Sequence, residues 1–184
     1  MQQNRGKRVT LVLGGARSGK SRYAEKLAAG AAAVTYIATA RAGDAEMAEK
    51  IRRHREERPE SWHTIEEPVE LGRAVAENAR SSGYVVVDCL TIFAANLLES
   101  AQGDLAAMEK HVAELLDALD VAACPVVLVS NEVGSGVVPP YPSGRLYRDL
   151  LGEINQRVAA CADHVLFMVA GLPLVLKGSA EVHP

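Results

Sequence analysis

Gly14-Gly15-Ala16-Arg17-Ser18-Gly19-Lys20-Ser21 is the stretch that decides how this chain folds. Immediately before it lies the apolar run Val9-Thr10-Leu11-Val12-Leu13, which reads as a buried strand. Immediately after it, Lys20 to Ala33 is rich in Ala, Lys and Glu, with Tyr23, Ala24, Leu27 and Ala28 at helical spacing. A strand, a glycine-rich turn and a helix opening on Lys-Ser make a P-loop, G-x-x-x-x-G-K-[ST]. The physical logic is an anion nest. Backbone N–H groups of the turn point inward, and the helix N-terminus adds roughly half a positive charge. Gly14 and Gly19 let the backbone approach a polyphosphate without a Cβ in the way. Lys20 is then placed for the β- and γ-phosphates and the Ser21 hydroxyl for Mg²⁺. The bland alternative is an ordinary glycine-rich turn, and the flanking strand and helix argue against it.

The rest of the chain fits around that unit. Its 184 residues suit a single domain over 1–184, 48% hydrophobic and 23% charged, with a net charge of −3. No basic stripe dominates, so nucleic acid is not the expected partner. No apolar run approaches the roughly 20 residues of a membrane span, so stable membrane insertion is not expected. The basic start, Met1 to Arg8, is followed by too short an apolar stretch for a signal peptide, and the expected location is the cytoplasm. Cys89, Cys124 and Cys161 lack metal spacing and read as buried free thiols.

Further strands are expected at Val34-Thr35-Tyr36-Ile37, Tyr84-Val85-Val86-Val87-Asp88, Pro125 to Val129 and Asp163 to Val169. Gly171 to Gly178, with Pro173, reads as an edge strand. Continuous β-branched runs of this kind belong to strands covered on both faces. Helices are expected at Leu71 to Ala79, after a Thr64/Glu67 capping box with Pro68 in the first turn, and at Thr91 to Leu98, Leu105 to Leu119 and Arg145 to Ala160. In the last of these, Leu146, Leu150, Ile154 and Val158 share a face. The alternation implies an α/β P-loop NTPase fold, a mostly parallel sheet of about six or seven strands with helices on both faces.

In such sheets ligands sit beyond the carboxyl ends of the strands. That places Thr39, after the second strand, toward a nucleotide on the P-loop, with a plain loop threonine as the alternative. Asp88 ends its strand as a Walker B aspartate would, beside Mg²⁺, or as a ribose-binding acid would; the residue alone leaves both open. Between them, Asp44 to Pro59 reads as a solvated helix with favourable pairs Glu46–Lys50 and Glu49–Arg53. Its sharper feature is His54, set among Arg52, Arg53, Arg55 and Arg58. Such a cluster suits a phosphate, and positive neighbours hold an imidazole neutral and nucleophilic near pH 7. Val137 to Gly144 reads as a loop whose length suits an active site, and the wider stretch Gly134 to Gly144 is the candidate for binding the second substrate.

Together the P-loop spelling, Tyr36-Ile37-Ala38-Thr39-Ala40, Ile51 to Pro59 with Trp62, Val87-Asp88-Cys89-Leu90-Thr91, Asn131-Glu132-Val133-Gly134, Asn155-Gln156-Arg157 and Gly171-Leu172-Pro173-Leu174 resemble one family. It is the bifunctional adenosylcobinamide kinase / adenosylcobinamide-phosphate guanylyltransferase family of cobalamin biosynthesis. The resemblance runs through nearly the whole chain. It implies phosphorylation of adenosylcobinamide by a nucleoside triphosphate, then transfer of GMP from GTP to adenosylcobinamide phosphate through a GMP-histidine, releasing pyrophosphate. GTP and ATP are the implied nucleotides, with Mg²⁺, in a homo-oligomer. The matching histidine is His54, acting with Lys20. Ala38, Thr39, Ala40, Arg55, Glu56, Glu57, Arg58, Glu66 and Asp88 match nucleotide-binding positions, alongside Gly14 to Ser21 with Gly15, Ala16, Arg17 and Ser18. Where some relatives carry a second histidine this chain has Arg53, and where some carry glutamate it has Asp88. The rival readings are a simple P-loop small-molecule kinase with His54 idle, and a nucleotide-dependent switch.

Overall fold

The computed structural model describes residues 9–41, 49, 52, 55, 56 and 58–179. Its frame is a seven-stranded sheet. In chain order the described elements are β1 (Val9–Gly14), α1 (Lys20–Ala28), β2 (Val34–Ala38), β3 (His63–Glu66), α2 (Leu71–Asn78), β4 (Tyr84–Asp88), α3 (Leu90–Ala101), α4 (Leu105–Val121), β5 (Val126–Asn131), α5 (Pro142–Cys161), β6 (His164–Val169) and β7 (Leu172–Lys177). Strand order is β3-β2-β4-β5-β1-β6-β7. All pairings are parallel except β6 with β7.

The pleat divides the apolar residues between two faces. Leu11, Ile37, Val85, Val87, Val126 and Leu128 point to a core covered by α2, α3, α4 and α5. Val12, Tyr36, Val86, Val127 and Val129 point to the other, where Tyr23, Ala24 and Ala28 of α1 pack. The expected fold class therefore holds, with Pro173 on the antiparallel edge strand β7 opposite Met168.

Several boundaries differ from expectation. Thr64 lies in β3 rather than capping a helix. Its spacing to Glu67 is coincidental: the Glu67 carboxylate accepts from the N–H groups of Val69 and Glu70, in the turn ahead of α2. Pro68 precedes that helix rather than opening it. α1 stops at Ala28, and α5 begins at Pro142, where proline costs no hydrogen bond. Leu146 is 41% exposed, because the buried stripe of α5 runs through Leu151, Ile154 and Val158. Cys124 is buried and Cys89 half-buried, but Cys161 is exposed at the end of α5. The helix expected from Asp44 to Pro59 lies largely outside the described residues.

Packing of α2 on α4 depends on Gly72. A Cβ there would stand 2.5 Å from the Glu114 carbonyl carbon and 2.7 Å from Leu115 N, all backbone. Helix propensity alone would favour alanine at this position by about 0.8–1 kcal/mol. Overpacking costs about 1–3 kcal/mol and wins here, since backbone cannot move aside. Gly72→Ala is expected to lower Tm by several degrees in a thermal melt; an unchanged or raised Tm would refute the close crossing.

Candidate active site

The site grows from the end of β1. Gly14, at φ 151°, closes the strand; a Cβ on it would meet Met168 O at 2.6 Å and Ser18 Oγ at 2.7 Å. Arg17 (φ 55°) and Gly19 (φ 95°) take left-handed conformations that curl the loop around its own amides. α1 then starts with no side-chain cap and no acidic residue in its first turn. Its leading N–H groups thus have no competing anion from their own helix.

Lys20 is 8% exposed. Its Nζ folds back over the loop and donates to Gly15 O at 2.5 Å and Ser18 Oγ at 3.5 Å. Burial lowers its pKa, opposed by the neighbouring Cys89 and by the Asp88 carboxylate. Asp88 thus reaches the P-loop electrostatically although β5 lies between its strand and β1. Ser21 is half-buried in the first turn of α1.

Two neighbours brace the loop. Gly171, in the β6–β7 turn, donates its N–H to Ser18 O at 3.0 Å and lies 3.3 Å from where a Gly19 Cβ would stand. On the other flank Glu132 N donates to Gly14 O at 3.2 Å. The Glu132 carboxylate folds onto the N–H groups of Gly134 and Ser135, shaping the following turn. Asn155 of α5 donates to Asn131 O at 3.0 Å. The Asn-Glu-Val-Gly and Gly-Leu-Pro-Leu stretches are therefore walls of the P-loop, a role invisible in their spelling.

Beyond β2 the picture is different. Ala38, 8% exposed, accepts Glu67 N on its carbonyl. Thr39 is 0% exposed, and its hydroxyl is committed to the backbone of Cys89, donating to the carbonyl and accepting from the N–H, both at 2.8 Å. Asn96 then donates to Thr39 O and Pro68 O. Thr39 is a clasp between the ends of β2 and β4. Ala40 is half-buried, and Glu66, last in β3, is exposed.

Asp88 accepts the Tyr36 hydroxyl at 2.6 Å. Burial first, and the Asp88 charge second, push that phenol well above its ordinary range, so it stays a donor. On the face of the same ring lies Arg58, its guanidinium carbon 3.5 Å from the centroid, and its Nε is buried without a hydrogen-bond partner. In the sequence Tyr36 reads as one more apolar residue of a strand, with nothing local to mark these contacts. A buried tyrosine needs a partner for its hydroxyl, however, and an acid at a neighbouring strand end is the natural one.

Of the arginine block, Arg55 and Glu56 are exposed. Glu56 is engaged by Arg52, which also holds Glu49. His54, Arg53 and Glu57 lie outside the described residues. Among the described residues no helix is long and apolar enough to cross a membrane.

Comparison with known proteins agrees over almost the full length. The family model described as cobinamide kinase / cobinamide phosphate guanyltransferase matches residues 10–176. The chain is 46% identical over 169 residues to the bifunctional adenosylcobalamin biosynthesis protein CobP of Pseudomonas aeruginosa, covering 91% of this chain and 96% of that protein. It is 41% identical over 180 residues to the bifunctional adenosylcobalamin biosynthesis protein CobU of Salmonella typhimurium, covering 92% and 99%. Among solved structures, a prototypical ATPase from the type III secretion system of pathogenic bacteria aligns with a TM-score of 0.59 at 11% identity. That alignment covers 95% of this chain and 60% of the ATPase, and at this identity it speaks to the fold alone.

Proposed function

Because the chain belongs to the cobinamide kinase / cobinamide phosphate guanyltransferase family, we propose that its single P-loop serves both reactions of that family in succession. The enzyme is a bifunctional transferase of cobalamin biosynthesis. In the first reaction the cobinamide hydroxyl oxygen attacks the γ-phosphorus of a nucleoside triphosphate, the β–γ bridging bond breaks, and the hydroxyl proton and nucleoside diphosphate leave. In the second, His54 nitrogen attacks the α-phosphorus of GTP and pyrophosphate departs. A phosphate oxygen of cobinamide phosphate then takes the GMP from the histidine, leaving the imidazole free.

The observation that carries this reading is the P-loop itself, with uncapped helix N–H groups and Lys20 folded back over the loop onto Gly15 O. A grip on the β- and γ-phosphates steadies the γ-phosphate for the first transfer. The same grip stabilises the pyrophosphate leaving group in the second. Arg58, with its unpartnered Nε, is a further cation for the nucleotide. The oxygen donors Ser21 and Asp88 suit Mg²⁺, a hard cation, and Asp88 keeps one oxygen outside its Tyr36 bond. Bound there, Mg²⁺ would supply neutralisation of phosphate charge. The loop after β5 carries exposed Val137 (95%), Val138 (57%) and Tyr141 (59%), an apolar surface suited to a corrinoid. The same reading places the enzyme in the cytoplasm as a homo-oligomer, and the exposed leucines Leu172, Leu174 and Leu176 of edge strand β7 support the latter.

Purified protein given adenosylcobinamide, Mg²⁺ and GTP is expected to give first the phosphate and then the GDP ester by mass spectrometry. Accumulation of the phosphate alone would reduce the protein to a kinase.

A further inference from the structure

Asp88 and Arg58 are read above as nucleotide contacts, and one buried side chain touches both. Tyr36 is 1% exposed in the middle of β2, hydrogen-bonded in register to β3 on one side and β4 on the other. Its hydroxyl donates to Asp88 Oδ2, and its ring face underlies the Arg58 guanidinium. We propose that Tyr36 is a positioning residue that holds two nucleotide-facing charges of opposite sign, the Asp88 carboxylate through its hydroxyl and the Arg58 guanidinium through its ring.

The geometry suits that work. The 2.6 Å separation lies in the short range of O–H···O⁻ bonds, which fix a carboxylate rotamer more firmly than a neutral bond does. Arg58 meets the ring with its planar face, a cation–π contact that leaves its N–H edge donors for an anion. Nε is buried and makes no hydrogen bond. Trp62, 6.4 Å away and tilted by 32°, packs beside the ring. A side chain on a strand paired on both sides is a stiffer platform than either loop it serves, and placement errors of about 1 Å at such a site cost activity.

The inference rests on the nucleotide-contact reading of Asp88 and Arg58, and the test separates the two. Tyr36→Phe keeps the ring, the volume and the Arg58 contact and removes only the hydroxyl. It is expected to lower kcat/KM of the kinase step by about tenfold, the worth of a hydrogen bond to a charged group. It is also expected to weaken binding of GTP with Mg²⁺ in calorimetry. Introduced into Asp88→Asn, the same change is expected to add almost nothing. Tyr36→Leu removes the ring as well; its extra loss over Tyr36→Phe is expected to vanish in Arg58→Ala. Wild-type kinetics and binding for Tyr36→Phe, or an undiminished loss in the Asp88→Asn background, would overturn the proposal. So would a loss that follows a lowered Tm alone. If Asp88→Asn and Arg58→Ala themselves leave binding and both reactions unchanged, the contact reading has failed and the positioning role goes with it.

Discussion

Lys20→Ala is expected to reduce the kinase and the guanylyl-transfer steps together, each by on the order of 10³-fold, the scale for deleting a group that stabilises transition-state charge. The shared loss follows from position. Nζ bends over the P-loop to Gly15 O, where β- and γ-phosphates cradled by the loop amides would lie. On the proposed reading that charge would stabilise the migrating phosphoryl group and the departing diphosphate in the kinase step, and pyrophosphate in the guanylyl step. The fold is expected to survive. Burial is the leading influence on Lys20 and lowers its pKa, so folding opposes its charged form. Removing the ammonium relieves that opposition, and a thermal melt of the variant is expected to show no lowering of Tm. Rate loss accompanied by unfolding would contradict this assignment, as would loss of only one reaction.

His54→Ala is expected to separate the two activities. A nucleophile cannot be replaced by positioning, so guanylyl transfer falls by more than about 10⁴-fold. The kinase step asks nothing of an imidazole and is expected to stay within a few-fold of wild type, measured as γ-phosphate transfer to adenosylcobinamide. Arginines stand on both sides of His54 in the sequence. Of these, Arg52 is paired with Glu49 and Glu56, and Arg58 lies on Tyr36. Equal loss of both reactions in His54→Ala would speak for a structural role instead.

How much of this was legible before the structure differs from element to element. The unit β1–loop–α1 was readable because glycine, lysine and serine at fixed spacing have one economical physical meaning between a strand and a helix. The buried strands were readable because unbroken β-branched runs such as Val85-Val86-Val87 suit little else. β3 was not, since His63-Thr64-Ile65-Glu66 is short and polar at its edges, and only pairing with β2 makes it a strand. Thr39 shows the limit of placing residues by strand ends. Its position beyond β2 is as expected, yet its hydroxyl is turned into the Cys89 backbone. Tyr36 and Asp88 are 52 residues apart, and no local pattern links them. Gly171 is the same kind of case: its contact with Ser18 spans most of the chain.

The most direct measurement is to incubate the protein with Mg²⁺ and GTP labelled on either the α- or the γ-phosphate, then denature it and follow the label. A single P-loop enzyme working through a guanylylated His54 predicts acid-labile protein-bound label from the α-phosphate only, absent in His54→Ala. Intact protein that hydrolyses GTP yet never retains the α-label would contradict the histidine intermediate and leave a simple P-loop kinase.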